Sequence, residues 1–450
     1  MFELIRRVAE DDPDRVGLAT HERSWTYAEL RDAALSVAAW LRAERVARLA
    51  VADFEADVVV PVLAGASLVG AEVTQYPPDD ASVIEDLVER FDHDVVVTDR
   101  LDLGHVAARL VAPSEVLGAA SAEIGTPPEE RPHLVLTTGT TGAPRGVRHD
   151  WSRLVRGVAR VAPVQDERWL LAYGLHQFAG LQVLLHVYAA GATLVAPAPR
   201  RPVEGLEAMR ALGVTHASAT PTYWRFLLAR ARSDGRGLPD LRQVTLGGEA
   251  IPGPLLAELA EAFPHAGISQ VYAASEFGST GSMRDGRAGL SVDVLDRGDE
   301  ADVDMRIVDG ELWIRTRSGM LGYYGEPPVD ADGWRATGDL VEVEGDRIVF
   351  RGRSSEVINV GGVKVHPLPI EERVGSVPGV DMARVFGRPN AMTGAIVALE
   401  IVAAPGADEA EVTRAVKAAC ADLVPAARPR SIRFVDDVAT TGGKIIRRQP

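Results

Sequence analysis

The chain has 450 residues, of which 46% are hydrophobic and 25% are charged, as in an ordinary globular protein of two or three domains. Its net charge of −16 argues against a broad nucleic-acid-binding surface, which would need clustered positive charge. The single cysteine, Cys420, excludes a disulfide framework and lies on an apolar helical face, which predicts a buried thiol. Because no apolar run is long enough for a bilayer and no signal-peptide core opens the chain, a cytoplasmic location is expected.

Residues 26–320 alternate helical segments with short β-rich runs, which predicts helices layered on sheets. Helices are predicted at 26–44 and 252–263, and strands at 94–99, 192–197, 216–220 and 243–248. After about Glu300 the sequence predicts two hairpins with turns at Asp309-Gly310 and Glu344-Gly345-Asp346. The last hundred residues mix strands with two helices, one beginning at Asp408. The sequence therefore predicts a large α/β domain over residues 1–354 and a small α+β domain over residues 355–450.

The stretch VLTTGTTGAPRGVRHD, residues 135–150, holds three glycines and four threonines. Threonine hydroxyls and glycine amides can converge on phosphate oxygens, because glycine permits the tight, positive-φ backbone that such a loop needs. The Walker pattern requires Gly-Lys followed by Ser or Thr, and the run Gly142-Ala143-Pro144-Arg145-Gly146 breaks it. The loop therefore indicates phosphate binding of a different kind from that of the Walker loop.

This loop resembles the signature loop of the adenylate-forming superfamily, which includes acyl- and aryl-CoA synthetases, nonribosomal-peptide adenylation domains and firefly-type luciferases. Five further segments are similar to the family's other motifs and follow in its order: TLGGEA, QVYAASEFGS, GWRATGDL, FRGRSSEVINVGGVKVHP and TTGGKIIRR. The resemblance covers nearly the whole chain. It implies a large domain of layered α/β subdomains with a small β-barrel-like part, followed by a small mobile α+β domain.

The resemblance implies an ATP site. Tyr272 would stack on adenine, Ser275 would touch the α-phosphate and Glu276 would hold Mg²⁺, each a residue type suited to that contact. Asp339 and Arg353 would take the ribose hydroxyls. The glycine-rich strand end beside the adenine would be Gly247, Gly248 and Glu249. The phosphate-loop contacts would be Thr137, Thr138, Gly139, Thr140, Thr141, Gly142 and Arg145.

The phosphate loop and the expected hinge each depart from the family at one position. Arg145 stands where the phosphate loop usually has lysine, and phosphate binding tolerates either cation. Ser355 stands at the expected hinge between the domains, where Asp or Lys is common, and a small residue can still absorb a backbone rotation.

Lysine usage singles out Lys444. Only three of the 48 basic residues are lysines, so a position that merely needed positive charge would be expected to hold arginine. A compact ammonium able to sit between two oxygens differs from a planar guanidinium. Lys444 also matches the mobile lysine of the family's C-terminal domain. Lys364 is interpreted more weakly in the same way, beside Gly361 and Gly362 on the strand that lines the pantetheine tunnel in CoA ligases.

The acyl pocket is expected to be short. Ala273, followed by Ala274, replaces the glycine that often forms the pocket floor after the stacking tyrosine. The candidate walls are Tyr173, His176, Phe178, Tyr223 and Trp224. A methyl group on the floor and aromatic walls favour a small or flat acid over a long fatty chain.

The resemblance implies that a carboxylate attacks the α-phosphate of Mg·ATP, with Lys444, Glu276 and Thr137 as catalytic residues. The acyl group would then pass to CoA, which arrives separately because the sequence shows no carrier-protein segment after Pro450. Alternatives within the class are a carrier-protein phosphopantetheine or an amine as acceptor, or nitrite adenylation for diazotisation. A catalytically silent nucleotide- or acyl-binding module is the alternative from another class. The sequence identifies neither the acid nor the oligomeric state.

Overall fold

The structure, a computed structural model, describes residues 1–52, 54–104, 106–121, 125–137, 144–196, 201–298, 300–330, 333–441 and 444–447. Its α-helices are α1 Phe2–Asp11, α2 Tyr27–Ala43, α3 Ala56–Val69, α4 Ala81–Phe91, α5 Pro113–Leu117, α6 Trp151–Arg156, α7 Phe178–Ala190, α8 Pro202–Ala211, α9 Pro221–Asp234, α10 Gly253–Ala262, α11 Pro367–Gly375 and α12 Glu409–Ala419. Short 3₁₀ turns lie at Val292–Val294 and Ser354–Glu356.

The first strands are β1 Val16–Ala19, β2 Ser24–Thr26, β3 Arg48–Val51, β4 Glu72–Gln75, β5 Val95–Val97, β6 Arg109–Val111, β7 Pro132–Thr137, β8 Arg145–Asp150, β9 Arg168–Leu171, β10 Thr193–Val195, β11 His216–Ala219, β12 Gln243–Gly247, β13 Gly267–Ala274 and β14 Gly278–Met283. The later strands are β15 Leu290–Ser291, β16 Val303–Val308, β17 Glu311–Thr316, β18 Gly322–Tyr323, β19 Arg335–Glu344, β20 Arg347–Arg353, β21 Ile358–Val360, β22 Val363–Val365, β23 Val380–Asn390, β24 Gly394–Ala403, β25 Ser431–Phe434, β26 Thr440–Thr441 and β27 Lys444–Ile445.

The chain divides into two compact units. The first unit consists of Met1–Ser218, Tyr272–Gly281 and Thr316–Gly333, and the second of Ala219–Val271, Ser282–Arg315 and Trp334–Pro450. The division expected from the sequence, between residues 354 and 355, is a different one and stays a prediction.

The first unit is built on two sheets with helices packed against them. One contains the strand order β2-β1-β10-β9-β11, and the other has the order β18-β8-β7-β4-β3-β5-β6. The pairs β3–β4, β3–β5 and β4–β7 are parallel, as in α/β layers, whereas β7 and β8 form an antiparallel hairpin. The main core packs α1, α2, α3 and α7 against these strands and buries Leu18, Tyr27, Leu63 and Leu184 completely.

Local sequence signals explain the helices of this unit. A reciprocal capping box starts α2, because Glu29 N donates to Thr26 Oγ1 at 3.1 Å and Thr26 N donates to Glu29 Oε2 at 2.8 Å. The helix α3 is apolar on nearly all sides and is accordingly buried. It ends at Gly70, whose φ of +77° suits glycine at a helix terminus.

The second unit contains a parallel pair, β12–β13, and two further sheets. One is a five-stranded sheet with the order β15-β20-β19-β17-β16, which includes both hairpins predicted after Glu300. Its Asp309-Gly310 turn has φ values of +51° and +79°, as the predicted hairpin requires. The other sheet has the order β22-β21-β24-β23 with β25 on β24, and its core includes residues of α11 and α12.

The helix α12 confirms two predictions. Its N-cap is Asp408, whose Oδ1 accepts a hydrogen bond from Glu411 N at 2.8 Å. Cys420 follows the helix and is buried against Val412 and Val416, and this burial raises the pKa of its thiol. Among the described ranges, no helix is both long and apolar enough to cross a membrane.

Candidate active site

The stems of the phosphate loop are held together by a hairpin in the first unit. Thr137 ends β7 and Arg145 begins β8, and the two are register partners. The Thr137 hydroxyl donates to the Arg145 carbonyl at 3.4 Å. The predicted contacts at Thr138, Gly139, Thr140, Thr141 and Gly142 lie outside the described residues and stay predictions.

Arg145 is held by an aromatic ring and a carboxylate. Its guanidinium carbon lies 3.3 Å from the centroid of the Tyr323 ring, and its Nη2 lies 2.7 Å from Glu326 Oε1. Stacking of a planar cation on a ring is a property of arginine that lysine lacks. The arginine that replaces the family's lysine therefore has contacts in this chain, with Tyr323 and Glu326, that suit a guanidinium.

Glu276 lies in the turn between β13 and β14 and contacts the same tyrosine. The Tyr323 hydroxyl donates to Glu276 Oε1 at 3.1 Å, and Met320 N donates to the Glu276 carbonyl at 3.1 Å. Burial raises the pKa of Tyr323 to about 12, and the charge of Glu276 acts in the same direction. Tyr323 therefore stays a protonated donor at neutral pH and connects the side chains of Arg145 and Glu276.

The surroundings of Glu276 fit the predicted Mg²⁺ contact. In nucleotide sites Mg²⁺ usually takes one or two carboxylates together with substrate phosphates and water. Within the ranges that the structure describes, no group of three or more His, Cys, Asp and Glu residues forms an all-protein metal cage. The single half-buried carboxylate of Glu276, oriented by the Tyr323 hydroxyl, is compatible with Mg²⁺ held by one carboxylate together with phosphates and water.

The predicted adenine and α-phosphate contacts follow the strand β13. The Tyr272 carbonyl accepts a hydrogen bond from Thr280 Oγ1 at 2.5 Å, which ties β13 to β14. Ala273 and Ala274 finish the strand, and Ser275 opens the turn that carries Glu276. This order keeps all of these residues in one short segment of the first unit.

Part of the predicted acyl pocket lies where β9 leads into α7. Tyr173 and Phe178 are each 5% exposed. The His176 ring packs over Gly174, because a Cβ at Gly174 would lie 2.3 Å from His176 Cε1. These three side chains therefore come from one compact segment of the first unit.

Sequence reasoning missed His149, which belongs to the same region. Its ring stacks on that of Phe178 with centroids 5.1 Å apart, and the residue is completely buried. Burial lowers the pKa of His149 to about 4, while the Ser275 backbone acts in the opposite direction. The imidazole is therefore neutral at physiological pH.

Tyr223 and Trp224 belong to the second unit, on α9. Trp224 is fully buried, and its indole nitrogen donates to the Thr245 carbonyl at 3.0 Å. Its ring also packs against Phe263 with centroids 5.9 Å apart. These contacts anchor α9 to its neighbours, and the predicted role of both residues as pocket walls stays a prediction.

Lys444 lies against the glycine-rich strand end. Gly247 ends β12, and Gly248 follows with a φ of +86°, a conformation that favours glycine. A Cβ at Gly248 would lie 3.2 Å from Lys444 Cε and 3.7 Å from Nζ. Two motifs that are far apart in the sequence thus meet in the second unit.

Glu249 bridges two backbone amides. Its Oε2 accepts a hydrogen bond from Thr222 N at 3.1 Å, and its Oε1 accepts one from Ile445 N at 3.0 Å. The carboxylate therefore joins the first turn of α9 to the strand that carries Lys444. Its predicted contact with the nucleotide stays a prediction.

Asp339 and Arg353, the predicted ribose contacts, are paired across β19 and β20. They are register partners, and Arg353 Nε lies 3.1 Å from Asp339 Oδ1. Asp339 is 9% exposed, and its backbone N–H donates to Thr337 Oγ1 at 3.0 Å. The structure thus brings together the two side chains that the sequence assigned to one part of the ligand.

The predicted hinge and tunnel residues come directly after Arg353 in the chain. Ser355 lies in the 3₁₀ turn after β20 and is exposed. Gly361 and Gly362 form the two-residue turn between β21 and β22, with φ values of +60° and +89°. Lys364 is exposed on β22, so these positions are accessible, and their roles in hinge motion and CoA binding stay predictions.

Comparison with known proteins gives two family matches. The AMP-binding enzyme profile matches residues 5–324, and the AMP-binding enzyme C-terminal domain profile matches residues 369–444. A (7a-methyl-1,5-dioxo-octahydro-1H-inden-4-yl)propanoyl:CoA ligase of Mycobacterium tuberculosis is 26% identical, over 96% of this chain and 94% of its own. The 2-succinylbenzoate–CoA ligase of Salmonella typhimurium is 32% identical, over 57% of this chain and 55% of its own.

Among solved structures, an anthranilate CoA ligase in complex with anthranoyl-AMP superposes with a TM-score of 0.86. It is 21% identical, and the alignment covers 99% of this chain and 95% of that one. This likeness shows that the two proteins share a fold.

Proposed function

Since the chain belongs to the AMP-binding enzyme family, we propose that it activates a carboxylic acid as an acyl-adenylate and passes the acyl group to CoA. The observation that supports this most directly is the approach of Lys444 to Gly248, with its Cε 3.2 Å from the Cβ position of that glycine. Lys444 matches the family's mobile lysine, and it lies against a motif that the resemblance assigns to the nucleotide site.

In the first half-reaction, a carboxylate oxygen attacks the α-phosphorus of ATP and the bond to the bridging oxygen of the β-phosphate breaks. Pyrophosphate leaves with the electron pair. Lys444 holds the substrate carboxylate against the α-phosphate, and Thr137 contacts the departing phosphates. Mg²⁺ held by Glu276 would neutralise phosphate charge.

In the second half-reaction, the thiolate of CoA attacks the carbonyl carbon, the bond to the phosphate oxygen breaks, and AMP leaves. Residues 355–450 rotate at Ser355 to withdraw Lys444 and to admit the thiol beside Gly361, Gly362 and Lys364. Closure also keeps water away from an adenylate that would otherwise hydrolyse.

We propose a small or flat aromatic acid as the substrate. Ala273 shortens the pocket floor, and the walls Tyr173 and Phe178 are aromatic and buried. The names of two relatives, 2-succinylbenzoate–CoA ligase and anthranilate CoA ligase, contain acids of this class.

Free CoA in the cytoplasm is the acceptor we propose. A carrier-protein phosphopantetheine, an amine, nitrite as the acid, and a catalytically silent binding module remain outcomes of the experiment. In the described structure no specific observation favours any of them.

Acid-dependent ATP–pyrophosphate exchange tests the proposal. A panel of aryl, short-chain and inorganic acids is assayed for exchange, and then for thioester formation with CoA. We expect exchange with an aryl acid, its loss in Lys444→Ala and its retention in Lys417→Ala, which removes an exposed lysine of α12. Release of γ-phosphate instead of pyrophosphate would refute the proposal. If nitrite alone supports exchange, the substrate is nitrite and not a carboxylic acid.

A further inference from the structure

The described segment that carries Lys444, residues 444–447, is anchored by its neighbours. Ile445 N donates to Glu249 Oε1 at 3.0 Å, and the Ile446 carbonyl accepts from Arg384 Nε at 2.5 Å. Arg447 Nη2 lies 2.7 Å from Glu371 Oε2. These anchors hold the backbone that carries Lys444.

Glu249 is well placed to act as the first anchor. Thr222 N, which donates to its Oε2, belongs to the first turn of α9, where backbone N–H groups have no partner within the helix. A helix N-terminus also favours a negative charge. One carboxylate oxygen of Glu249 is therefore held by α9, and the other accepts the hydrogen bond from the Lys444 strand.

Arg447 forms the second anchor, in a buried charge cluster. Its side chain is 14% exposed, that of Glu371 is 7% exposed, and Glu356 lies 3.6 Å away on the other side. Burial would lower the pKa of Arg447, but the charges of Glu371, Glu356 and Glu249 raise it above its ordinary value. Arg447 is thus charged at every accessible pH, and removing it would leave Glu371 buried without its cation.

We propose that Glu249 and Arg447 are positioning residues that dock the Lys444 strand for adenylate formation. Glu249 holds the backbone of the residue after Lys444, and Arg447 fixes the end of the strand on α11. This inference rests on the proposed function and assigns to Glu249 a contact with the protein where the sequence suggested one with the nucleotide.

The two anchors differ in what happens during the cycle. Arg447 and Glu371 both lie in residues 355–450, so their ion pair moves with that segment and persists. The hydrogen bond from Ile445 N to Glu249 joins the two sides of the predicted boundary, so it breaks when Lys444 withdraws. One hydrogen bond to a charged acceptor changes an equilibrium constant by about 10- to 100-fold, which a catalytic cycle can reverse at every turnover.

Half-reaction kinetics test this inference. The variants are Glu249→Gln, Glu249→Ala and Arg447→Met, with Arg414→Met as the control because Arg414 is exposed on α12 and pairs there with the exposed Glu411. Pyrophosphate exchange and thioester formation from a supplied acyl-adenylate are measured separately, together with the KM for ATP.

We expect Glu249→Ala and Arg447→Met to lower the exchange kcat by about 10- to 100-fold, with little change in the KM for ATP or in thioester formation. Glu249→Gln should fall between them and the wild type, because an amide oxygen can still accept one of the two hydrogen bonds. A raised KM for ATP at unchanged kcat would make Glu249 a nucleotide ligand and would overturn the inference. Equal loss of both half-reactions would also overturn it.

Hydrogen exchange gives a readout that does not depend on activity. The Ile445 amide should exchange slowly in the wild type and faster in Glu249→Ala, whereas Arg414→Met should leave it unchanged. Unchanged protection in Glu249→Ala would refute the docking. If the wild type shows no exchange of pyrophosphate with any acid, the proposed function fails, and amide exchange still decides whether Glu249 docks the strand.

Discussion

Replacing Gly248 by alanine tests the closeness of the Lys444 side chain to the glycine-rich strand end. Gly248 has a φ of +86°, and an L-residue in such a left-handed conformation costs about 1–2 kcal/mol of stability. Its Cβ would also lie 3.2 Å from Lys444 Cε, inside the usual carbon–carbon contact of about 3.5–4.0 Å. The flexible lysine therefore has to shift by a few tenths of an ångström.

Gly298 provides a matched control for this variant. It also has a φ of +86°, but among the described residues outside its chain neighbours no heavy atom lies within 4 Å of the position that its Cβ would take. Both alanine variants should therefore lose about 1–2 kcal/mol of stability, and their melting temperatures should fall by similar amounts. Only Gly248→Ala should displace Lys444.

The assay is the initial rate of pyrophosphate exchange at saturating ATP and acid. A displacement of 1 Å at a reacting group can cost about 100-fold, so a shift of a few tenths of an ångström should lower the rate of Gly248→Ala by about tenfold. Gly298→Ala should keep the wild-type rate. Equal rates in the two variants would refute the placement of Lys444 over Gly248.

Lys444→Ala should abolish adenylate formation but spare thioester formation from a supplied acyl-adenylate, and equal loss of both would show that Lys444 is not the adenylation lysine. Arg145→Ala should raise the KM for ATP several-fold. Arg145→Lys should change it less, because the cation near Glu326 is kept and only the planar stacking on Tyr323 is lost, and the KM values of the two variants check this. The pKa of the buried, neutral His149 is about 4 in the folded chain and about 6.5 in the unfolded chain. Between about pH 6.5 and pH 4 the unfolded chain therefore binds a proton at this histidine and the folded chain does not. Stability should decline over that window by at most about 3 kcal/mol, and urea titrations of His149→Phe should show a shallower decline.

The sequence was sufficient for the parts of the fold that local signals determine. The helix over 26–44 appears as α2, because its capping residues and apolar periodicity lie within one segment. The Asp309-Gly310 turn appears with both residues at positive φ. The family resemblance assigned Asp339 and Arg353 to the same ribose, and the structure pairs them across β19 and β20.

Contacts between distant segments could not be read from spacing. Glu326, which pairs with Arg145, lies 181 residues further along the chain, and Glu249 receives the amide of a residue 196 positions away. Such pairs depend on which strands become neighbours. The sequence GYYGEP carries Tyr323 and Glu326 and is a signal for a further aromatic and acidic contact. That the contact is made with Arg145 follows from the pairing of β18 with β8, which the sequence does not show.

His149 shows a second reason why sequence reasoning stops short. The burial of β8 does not alternate, because Gly146 and Val147 are both buried and so are His149 and Asp150. The two-residue period of a strand therefore does not by itself predict that His149 is buried. Whether the ring then meets water, a carboxylate or an aromatic ring depends on the packing of α7 beside it. The stacking on Phe178 therefore came only from the structure.

The central claim is that the acid attacks the α-phosphate of ATP. Incubating the enzyme with ATP, CoA and an aryl acid labelled with ¹⁸O in its carboxylate tests this directly, by mass spectrometry of the products. We predict that one ¹⁸O atom appears in AMP, since the oxygen that bonded to the α-phosphorus leaves with it when the thioester forms. Label in inorganic phosphate, with ADP as the nucleotide product, would contradict the account.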